Sequence, residues 1–320
     1  MIADLRKNVG FEVPFLLISS ILLIAIGSFG FPGFLSVSYL MQQAQIASFL
    51  GVIAIGAFLV IMIGQIDLSV PWTITAAAMV TTSVTGSGEG TAWLAIPAGL
   101  ATGIAIGVVN GVGIAVLRVP SMIWTLGVNA VVLGCCILFT GGFAPAGQAS
   151  DLMRTLAVGS VFGLPSSFLL WLVLAIAAAA FLKFTVLGRA VIAIGNSERA
   201  AYLSGVDTRR VIITCFAGAG MMSAMGGLLL VGYSNQAYQA MGDQFLLPVI
   251  ASVVVGGTRL QGGKGSAIAV ALAVLFLSLL TSVLSVFQVD GSIKQCVYGA
   301  VMLITLFIYG RFRNRGARSL

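Results

Sequence analysis

The stretch GRAVIAIGNSERAAYLSGVDTRR, residues 188–210, interrupts a chain that is otherwise almost continuously apolar. It holds four of the sixteen Lys and Arg residues and two of the nine Asp and Glu residues. A plain connection between two packed helices needs only about 2–8 residues. This stretch, called the polar island below, is therefore either a solvated connector or a structured loop on which a soluble partner docks.

The composition on both sides of the polar island decides the fold class. Of the 320 residues, 59% are hydrophobic and 8% are charged, whereas a soluble domain carries about 25% charged residues. Such a surface cannot face water on all sides, so the sequence predicts an all-α polytopic membrane protein. The 40 glycines fit this class because small residues let spanning helices approach closely. We expect residues 1–320 to form one transmembrane domain.

The apolar runs predict about ten membrane spans, at roughly 20 residues for each crossing. They cover residues 13–35, 37–63, 71–85, 92–117, 121–140, 166–186, 211–233, 245–255, 266–287 and 293–309. The first run is longer than the apolar core of a cleaved signal peptide, so we expect it to stay in the protein.

The basic residues predict the orientation. With the N-terminus inside, fourteen of the sixteen Lys and Arg residues fall in inner loops or termini, as cytoplasmic loops require. Only Arg154 and Lys294 fall outside. Both termini are therefore expected in the cytoplasm. Spans 2–5 and 7–10 form two groups of four with opposite orientation, which suggests an inverted repeat of the kind found in transporters.

Several function classes are disfavoured by composition. The chain has no histidine, so a Ser-His-Asp arrangement is excluded and catalysis by this chain alone is not expected. The four cysteines lie in apolar runs and are interpreted as packing residues, and we expect no metal site and no cofactor in this chain. The net charge of +7 indicates membrane orientation and not a nucleic-acid partner.

A first motif, GQIDLSVP at residues 64–71, places a carboxylate beside apolar spans. Such a group is costly unless it is paired or caps a helix. Asp67 or Ser69 is positioned to cap the third span by accepting the free N–H groups of its first turn. The alternative is that one of them contacts a transported solute.

A second motif lies inside the polar island. Asn196 or Ser197 suits an N-cap, and Glu198 then sits at the positive end of a helix. The residues that follow are expected to form nearly two turns, which Gly205 ends. Asp207 or Thr208 would cap the next span.

A third motif, VVVGGTRLQGGKGS at residues 253–266, is rich in glycine. Gly256, Gly257, Gly262 and Gly263 allow tight turns and positive φ. The Walker spacing GxxxxGK[ST] is absent, so no nucleotide site is expected. The loop is either a tight turn between spans or a functional surface, and the two are compatible.

The three motifs together resemble the permease subunits of ribose-type ABC importers. The resemblance rests on GQIDLSVPW (residues 64–72), GNSERAAYLSGV (195–206) and VVGGTRLQGGKGS (254–266), and covers roughly residues 53–309. The stretches RVP at 118–120 and TLG at 125–127 are similar to the family as well. Two departures stand out, since Gln65 replaces a usual glycine and Val70-Pro71-Trp72 replaces a usual V-G-S.

The resemblance implies a bacterial inner-membrane importer with several partners. Two permeases, as a homodimer or a heterodimer, would form the pathway, and a separate ATPase subunit would bind ATP and Mg²⁺. A periplasmic or lipid-anchored binding protein would deliver a sugar or related small polar solute. The resemblance also implies a coupling helix that contacts the ATPase, formed by Asn196, Ser197, Glu198, Arg199, Ala200, Ala201, Tyr202, Leu203, Ser204 and Gly205.

Polar residues inside spans are candidates for the translocation pathway or, alternatively, for hydrogen bonds between helices. They are Gln42, Gln43, Gln45, Asn110, Thr125 and Asn129. The segments 141–165 and 234–244 are expected at the outer face as docking surfaces for the binding protein, where Asp151, Arg154 and Asp243 could form salt bridges.

Two other functions compete with this interpretation. One is a permease of the same superfamily for nucleosides or amino acids. The other is a secondary transporter driven by ions, which usually needs ionisable residues within the membrane. Asp67 and Asp290 lie near predicted membrane edges, so the sequence shows no buried relay.

Overall fold

The computed structural model describes residues 12–86 and 89–316. Within them the chain forms thirteen α-helices, of which seven are long and apolar enough to cross a membrane. The prediction of an all-α polytopic membrane protein is confirmed. Arg6, Lys7 and Arg318, which contributed to the predicted orientation, lie outside the described residues.

The helices follow one another with short connections. Their bounds are α1 Glu12–Gly30, α2 Val37–Met62, α3 Val70–Gly86, α4 Ala95–Ala115, α5 Ser121–Thr140, α6 Asp151–Val158, α7 Ser166–Phe184, α8 Val186–Asn196, α9 Glu198–Leu203, α10 Thr208–Ser234, α11 Leu246–Val255, α12 Ala267–Val286 and α13 Gly291–Gly316. Short 3-10 turns cover Pro32–Leu35, Glu89–Leu94 and Asp243–Phe245, and β1 (Ser160–Val161) pairs antiparallel with β2 (Leu164–Pro165).

Most predicted spans coincide with a helix, but the first and the last end at other residues than predicted. The first helix ends at Gly30, before Pro32, because proline cannot continue the hydrogen-bond ladder. The last helix continues to Gly316, well beyond the predicted end. The sequence interpretation also missed α6, the β-hairpin and α8, which lie in segments taken as polar loops.

The loops divide between two ends of the bundle. Contacts join the loops at residues 63–69, 116–120, 185–207 and 256–266, which we call the motif end. Contacts also join residues 36–39, 140–149, 235–239 and 282, which we call the opposite end.

Helices α2 and α10 form the centre of the bundle, and the other helices surround them. Ile53 and Phe58 of α2 and Phe216 and Leu229 of α10 are almost fully buried. Few residues of α1 and α5 are buried, as expected for helices that face lipid.

A glycine stripe sets how closely α4 approaches α10. Gly103, Gly107 and Gly111 recur every four residues and therefore share one face of α4. A Cβ atom at Gly103 or Gly107 would collide with backbone carbonyls of α10, including that of Gly220. The close contact therefore depends on small residues, as in other membrane bundles.

The two groups of four spans make equivalent contacts. Between the groups, α2 packs on α12, and the equivalent helix α10 packs on α4. Within the first group α3 packs on α5, and within the second α11 packs on α13. Helix α10 also packs on α3 as α2 packs on α11. Within each group, a long central helix is followed by a non-helical stretch and a shorter helix. A repeat of four helices predicts this pattern.

Candidate functional site

The polar island folds as two helices and not as one loop. Its first half belongs to α8, which buries Ala190, Val191 and Ile194 against the bundle. The Thr185 side chain caps this helix by accepting from the Gly188 N–H at 2.9 Å. The polar island is therefore packed against the spans and is not a solvated connector.

The second half forms the short helix α9 at the expected position. Ser197 is its N-cap, and the Ser197 side chain accepts from the Ala200 N–H at 3.2 Å. Asn196, the other cap considered, is the last residue of α8, and its side-chain amide donates to the Ile192 carbonyl. Gly205 has a φ of 85°, which suits glycine and ends the helix.

Helix α9 presents an apolar face away from the bundle. Ala201 is buried, whereas Tyr202 and Leu203 are 67% and 77% exposed. A groove of about 1010 Å³ runs beside this face and is lined by Tyr202, Arg199, Arg209 and their neighbours. Exposed apolar side chains rimmed by charges are typical of a protein-binding surface.

An ion pair joins α9 to the loop between α4 and α5. The Arg118 guanidinium donates to the Glu198 carboxylate at 2.5 Å. Arg118 has a φ of 59°, a left-handed conformation that is uncommon outside glycine. The pair connects two loops of the motif end that are 80 residues apart in sequence.

The three motifs meet at one point of the motif end. The Gly263 N–H donates to the Met62 carbonyl at 2.9 Å. A Cβ atom at Gly195 would collide with that carbonyl and with the Gly263 amide. A Cβ atom at Gly262 would lie 2.6 Å from the Gly64 amide. We call this contact of Gly64, Gly195, Gly262, Gly263 and Met62 the glycine junction.

The third motif needs its glycines for two different reasons. Gly257, Gly262 and Gly263 have φ angles of 80°, 89° and 75°. Gly256 has an ordinary φ of −68°. A Cβ atom at Gly256 would instead lie 2.7 Å from the Val270 Cα, so this glycine permits a close backbone approach.

The first motif is a partly buried, non-helical segment that leads into α3. Asp67 accepts from the Ser69 N–H at 2.8 Å and from the Ser69 hydroxyl at 2.6 Å. The expected cap is therefore wrong in detail, since the carboxylate binds its own segment and the Trp72 N–H donates to Asn129. Burial raises the pKa of Asp67, which lies between two spans, while the Ser69 bonds oppose the rise.

Three polar side chains on α5 accept from the N–H groups of this segment. They are spaced four residues apart and therefore share one face of the helix. Without them these partly buried backbone donors would lack partners, which is costly. The pairs are Ser121 with the Ile66 N–H at 3.3 Å, Thr125 with the Leu68 N–H at 2.9 Å, and Asn129 with the Trp72 N–H at 3.3 Å.

Of the six proposed pathway residues, four bond to other parts of the bundle and two line a cavity. Asn110, Thr125 and Asn129 take part in packing around the first motif. The Asn110 amide donates to the Ser69 hydroxyl at 2.7 Å, and its oxygen is buried without a partner among the described residues. Gln45 binds the Ala157 carbonyl at 2.9 Å and so ties α2 to α6.

Gln42 and Gln43 are the other two, and both line a cavity of about 590 Å³ at the opposite end. Helices α2, α10, α11, α12 and α13 surround this cavity. Sequence reasoning missed its other walls, since they come from distant parts of the chain.

The segments expected as outer docking surfaces lie at the opposite end. Ser150 caps α6 through its side chain, and Asp151 and Arg154 on this helix are exposed. Phe162, at the turn of the hairpin that follows, is fully exposed. Asp243 is exposed as well. The salt bridges of these residues with a binding protein stay a prediction.

Comparison with known proteins gives one family and several relatives. Residues 39–306 match the family described as branched-chain amino acid transport system, permease component. The ribose import permease protein RbsC of Escherichia coli K12 is 32% identical over 91% of this chain and 92% of its own. The autoinducer 2 import system permease protein LsrD of E. coli O9:H4 is 30% identical over 94% of this chain and 92% of its own.

A further relative is the RbsC protein of Haemophilus influenzae, which is 31% identical over 90% of each chain. No solved structure matches the chain. The region that matches the family, residues 39–306, includes all three motifs.

Proposed function

Because the chain belongs to the permease-component family of branched-chain amino acid transport systems, we propose that it is the membrane subunit of an ATP-driven importer. It forms part of the pathway for a sugar or a related small polar solute. A separate ATPase subunit supplies the energy, and a binding protein supplies the solute.

The glycine junction is the observation that carries this proposal. It holds the end of α8, directly before the proposed coupling helix α9, against the end of α2 and the loop before α12. A push on Tyr202 or Leu203 by a partner would therefore reach α2 and the start of α12 through backbone contacts at the end of α8. This chain would contribute a path with two stable arrangements and no chemistry of its own.

The proposed topology has ten spans with both termini in the cytoplasm of a bacterial inner membrane. In addition to the seven long apolar helices, α3, α11 and α13 would complete the count. Basic residues support a cytoplasmic motif end, since Arg118, Arg199, Arg209 and Arg259 lie in its loops or beside them. The equivalent contacts of the two four-helix groups support an inverted repeat.

The partners follow from the exposed surfaces. The groove beside α9 suits an ATPase, which would hold ATP and Mg²⁺ outside this chain. The exposed helix α6 and its hairpin suit a periplasmic or lipid-anchored binding protein at the opposite end. A second permease, either a copy of this chain or a related one, would complete the pathway.

The solute class rests on the relatives. Those named above are permeases for ribose and for autoinducer 2. The family description instead names branched-chain amino acids. Amino acids and nucleosides therefore remain the second candidate, whereas an ion-driven transporter would need a coupling site that Asp67, bound by its own segment, does not offer.

The direct test is solute uptake into vesicles that contain the chain with its ATPase and binding protein. We expect uptake of a neutral sugar to require ATP and to persist when ion gradients are collapsed. L-leucine in place of the sugar tests the second candidate. Uptake driven by an ion gradient without ATP would overturn the proposal.

A further inference from the structure

The cavity at the opposite end lies between the two groups of four helices. Helix α2 of the first group forms one wall, and α10, α11, α12 and α13 of the second group form the others. Its volume of about 590 Å³ is within the range of small-molecule sites. Transporters commonly bind their solutes at the interface of such repeats.

We propose that this cavity binds an uncharged polyhydroxy solute within a single copy of the chain. The statement rests on the importer function proposed above and adds to it a site, its residues and a reason for selectivity. Three features of the lining carry it: free aromatic faces, free amides and the lack of charge.

The aromatic faces come from two tyrosines at the end of α10 and in the loop after it. Tyr233 and Tyr238 are each 46% exposed and line the cavity. The Tyr233 ring is held by an edge contact with Phe49, with centroids 5.5 Å apart. Its exposed surface is therefore fixed in place, and such rings combine an apolar face with a polar end. The C–H face of a sugar ring can pack against them.

The amides are three glutamines whose side chains reach the cavity. The side chains of Gln42, Gln43 and Gln244 make no hydrogen bond within the described part of the chain. Each amide offers two donors and one acceptor oxygen. Hydroxyl groups both donate and accept, so they match such amides in either direction.

Hydrogen bonds between hydroxyl groups on different helices hold the walls of the cavity together. Tyr39 of α2 bonds Ser282 of α12 at 2.6 Å, and Thr281 of α12 bonds Tyr298 of α13 at 2.6 Å. These bonds join three helices on one side of the cavity. The glutamines therefore face walls that are already formed before a solute enters.

The charge of the lining selects against amino acids. Among the described residues, the lining contains no Asp, Glu, Lys or Arg. Lys294 stands at the rim, where its ammonium donates to the Ser285 hydroxyl at 2.9 Å. A zwitterion needs partners for both of its charges when it leaves water, and one rim cation provides at most one. A neutral solute needs no charged partner, so the uncharged lining does not disfavour its binding.

Thiol labelling of the full-length chain in lipid nanodiscs tests the site. A single cysteine replaces Gln43 in a background without Cys135, Cys136, Cys215 and Cys296. We expect D-ribose, D-xylose or D-glucose to slow its labelling, and L-leucine to leave it unchanged. A cysteine at the exposed Phe162, at the same end of the bundle, is the control and should label at one rate throughout.

Two variants separate a binding role from a structural one. Replacing Gln42 with Leu should raise the sugar concentration needed for protection by about 3- to 10-fold, as the loss of one neutral hydrogen bond predicts. Lys294→Gln should leave protection by sugar unchanged. If no sugar protects, or if leucine protects as well as the sugars, the site is wrong. ATP-driven sugar uptake that persists in that case would leave the importer function standing.

Discussion

Arg118 and Glu198 form an ion pair at 2.5 Å between the loop that precedes α5 and the first turn of α9. The loop also leads into the face of α5 whose Ser121 and Thr125 hold the first motif. The pair therefore gives α9 a second connection to the spans, separate from the glycine junction. Surface pairs of this kind contribute only about 0–1 kcal/mol to stability, so its importance would lie in coupling.

A charge swap tests this connection. Glu198→Arg is expected to reduce uptake while barely changing the melting temperature, because the pair is partly exposed. Adding Arg118→Glu should restore part of the uptake. Adding Arg189→Glu instead, at an exposed position of α8, gives the same net charge without rebuilding the pair, and it should restore nothing. Equal recovery by both second changes would refute a specific role for Arg118.

The glycine junction predicts a sharp contrast between two Gly→Ala changes in helices. In Gly195→Ala, the new methyl group meets the backbone of Met62 and Gly263, which cannot move aside. We expect loss of uptake together with a lower melting temperature. Gly134→Ala, where nothing lies within 4 Å, should be neutral or slightly stabilising. Similar behaviour of the two variants, measured side by side, would contradict the junction.

The hydrogen bonds of α5 predict a stability effect at Thr125. Thr125→Val leaves the Leu68 N–H without its acceptor, at a cost of about 1–3 kcal/mol. Thr102→Val is the matched control, because the Thr102 hydroxyl bonds only the Ala98 carbonyl of its own helix. Thermal unfolding in detergent should show a clear loss for the first variant and little for the second.

Two substitutions of Asp67 distinguish ATP-driven import from ion-driven transport. Asp67→Asn keeps an oxygen that can accept from the Ser69 N–H and hydroxyl, so fold and uptake should survive. Asp67→Leu removes both bonds and should lower the melting temperature. If the carboxylate instead carried a coupling proton or cation, the Asn variant would fold normally and lose uptake, and that outcome would favour the ion-driven alternative.

The sequence predicted the long helices well because hydropathy and helix caps are local signals. Ser197 and Gly205 bound α9 as their residue types indicate. The glycine junction could not be foreseen, since it joins backbone atoms of residues far apart in the chain. Asn110 and Thr125 illustrate the same limit, because a polar residue in a span gives no sign of whether it faces a pathway or another helix.

Local signals also failed where polar segments fold. The polar character of residues 141–165 hid α6, whose apolar side is only two buried residues, Met153 and Ala157. Similarly, α8 falls within the polar island because its short apolar run, residues 190–194, lies between Gly188-Arg189 and Gly195-Asn196. In both places burial against other helices, and not local composition, decides the structure.

The central claim is that α9 transmits ATP hydrolysis to the pathway, and the ratio of ATP hydrolysed to solute taken up tests it most directly. Gly205→Pro removes the N–H that bonds Tyr202 and imposes a negative φ where the native φ is 85°. Gly163→Pro breaks a turn of similar φ at the opposite end and serves as the control. We predict that Gly205→Pro raises the ratio sharply while the protein stays inserted, and that Gly163→Pro leaves it unchanged. Normal uptake at the normal ratio in Gly205→Pro vesicles would contradict the account.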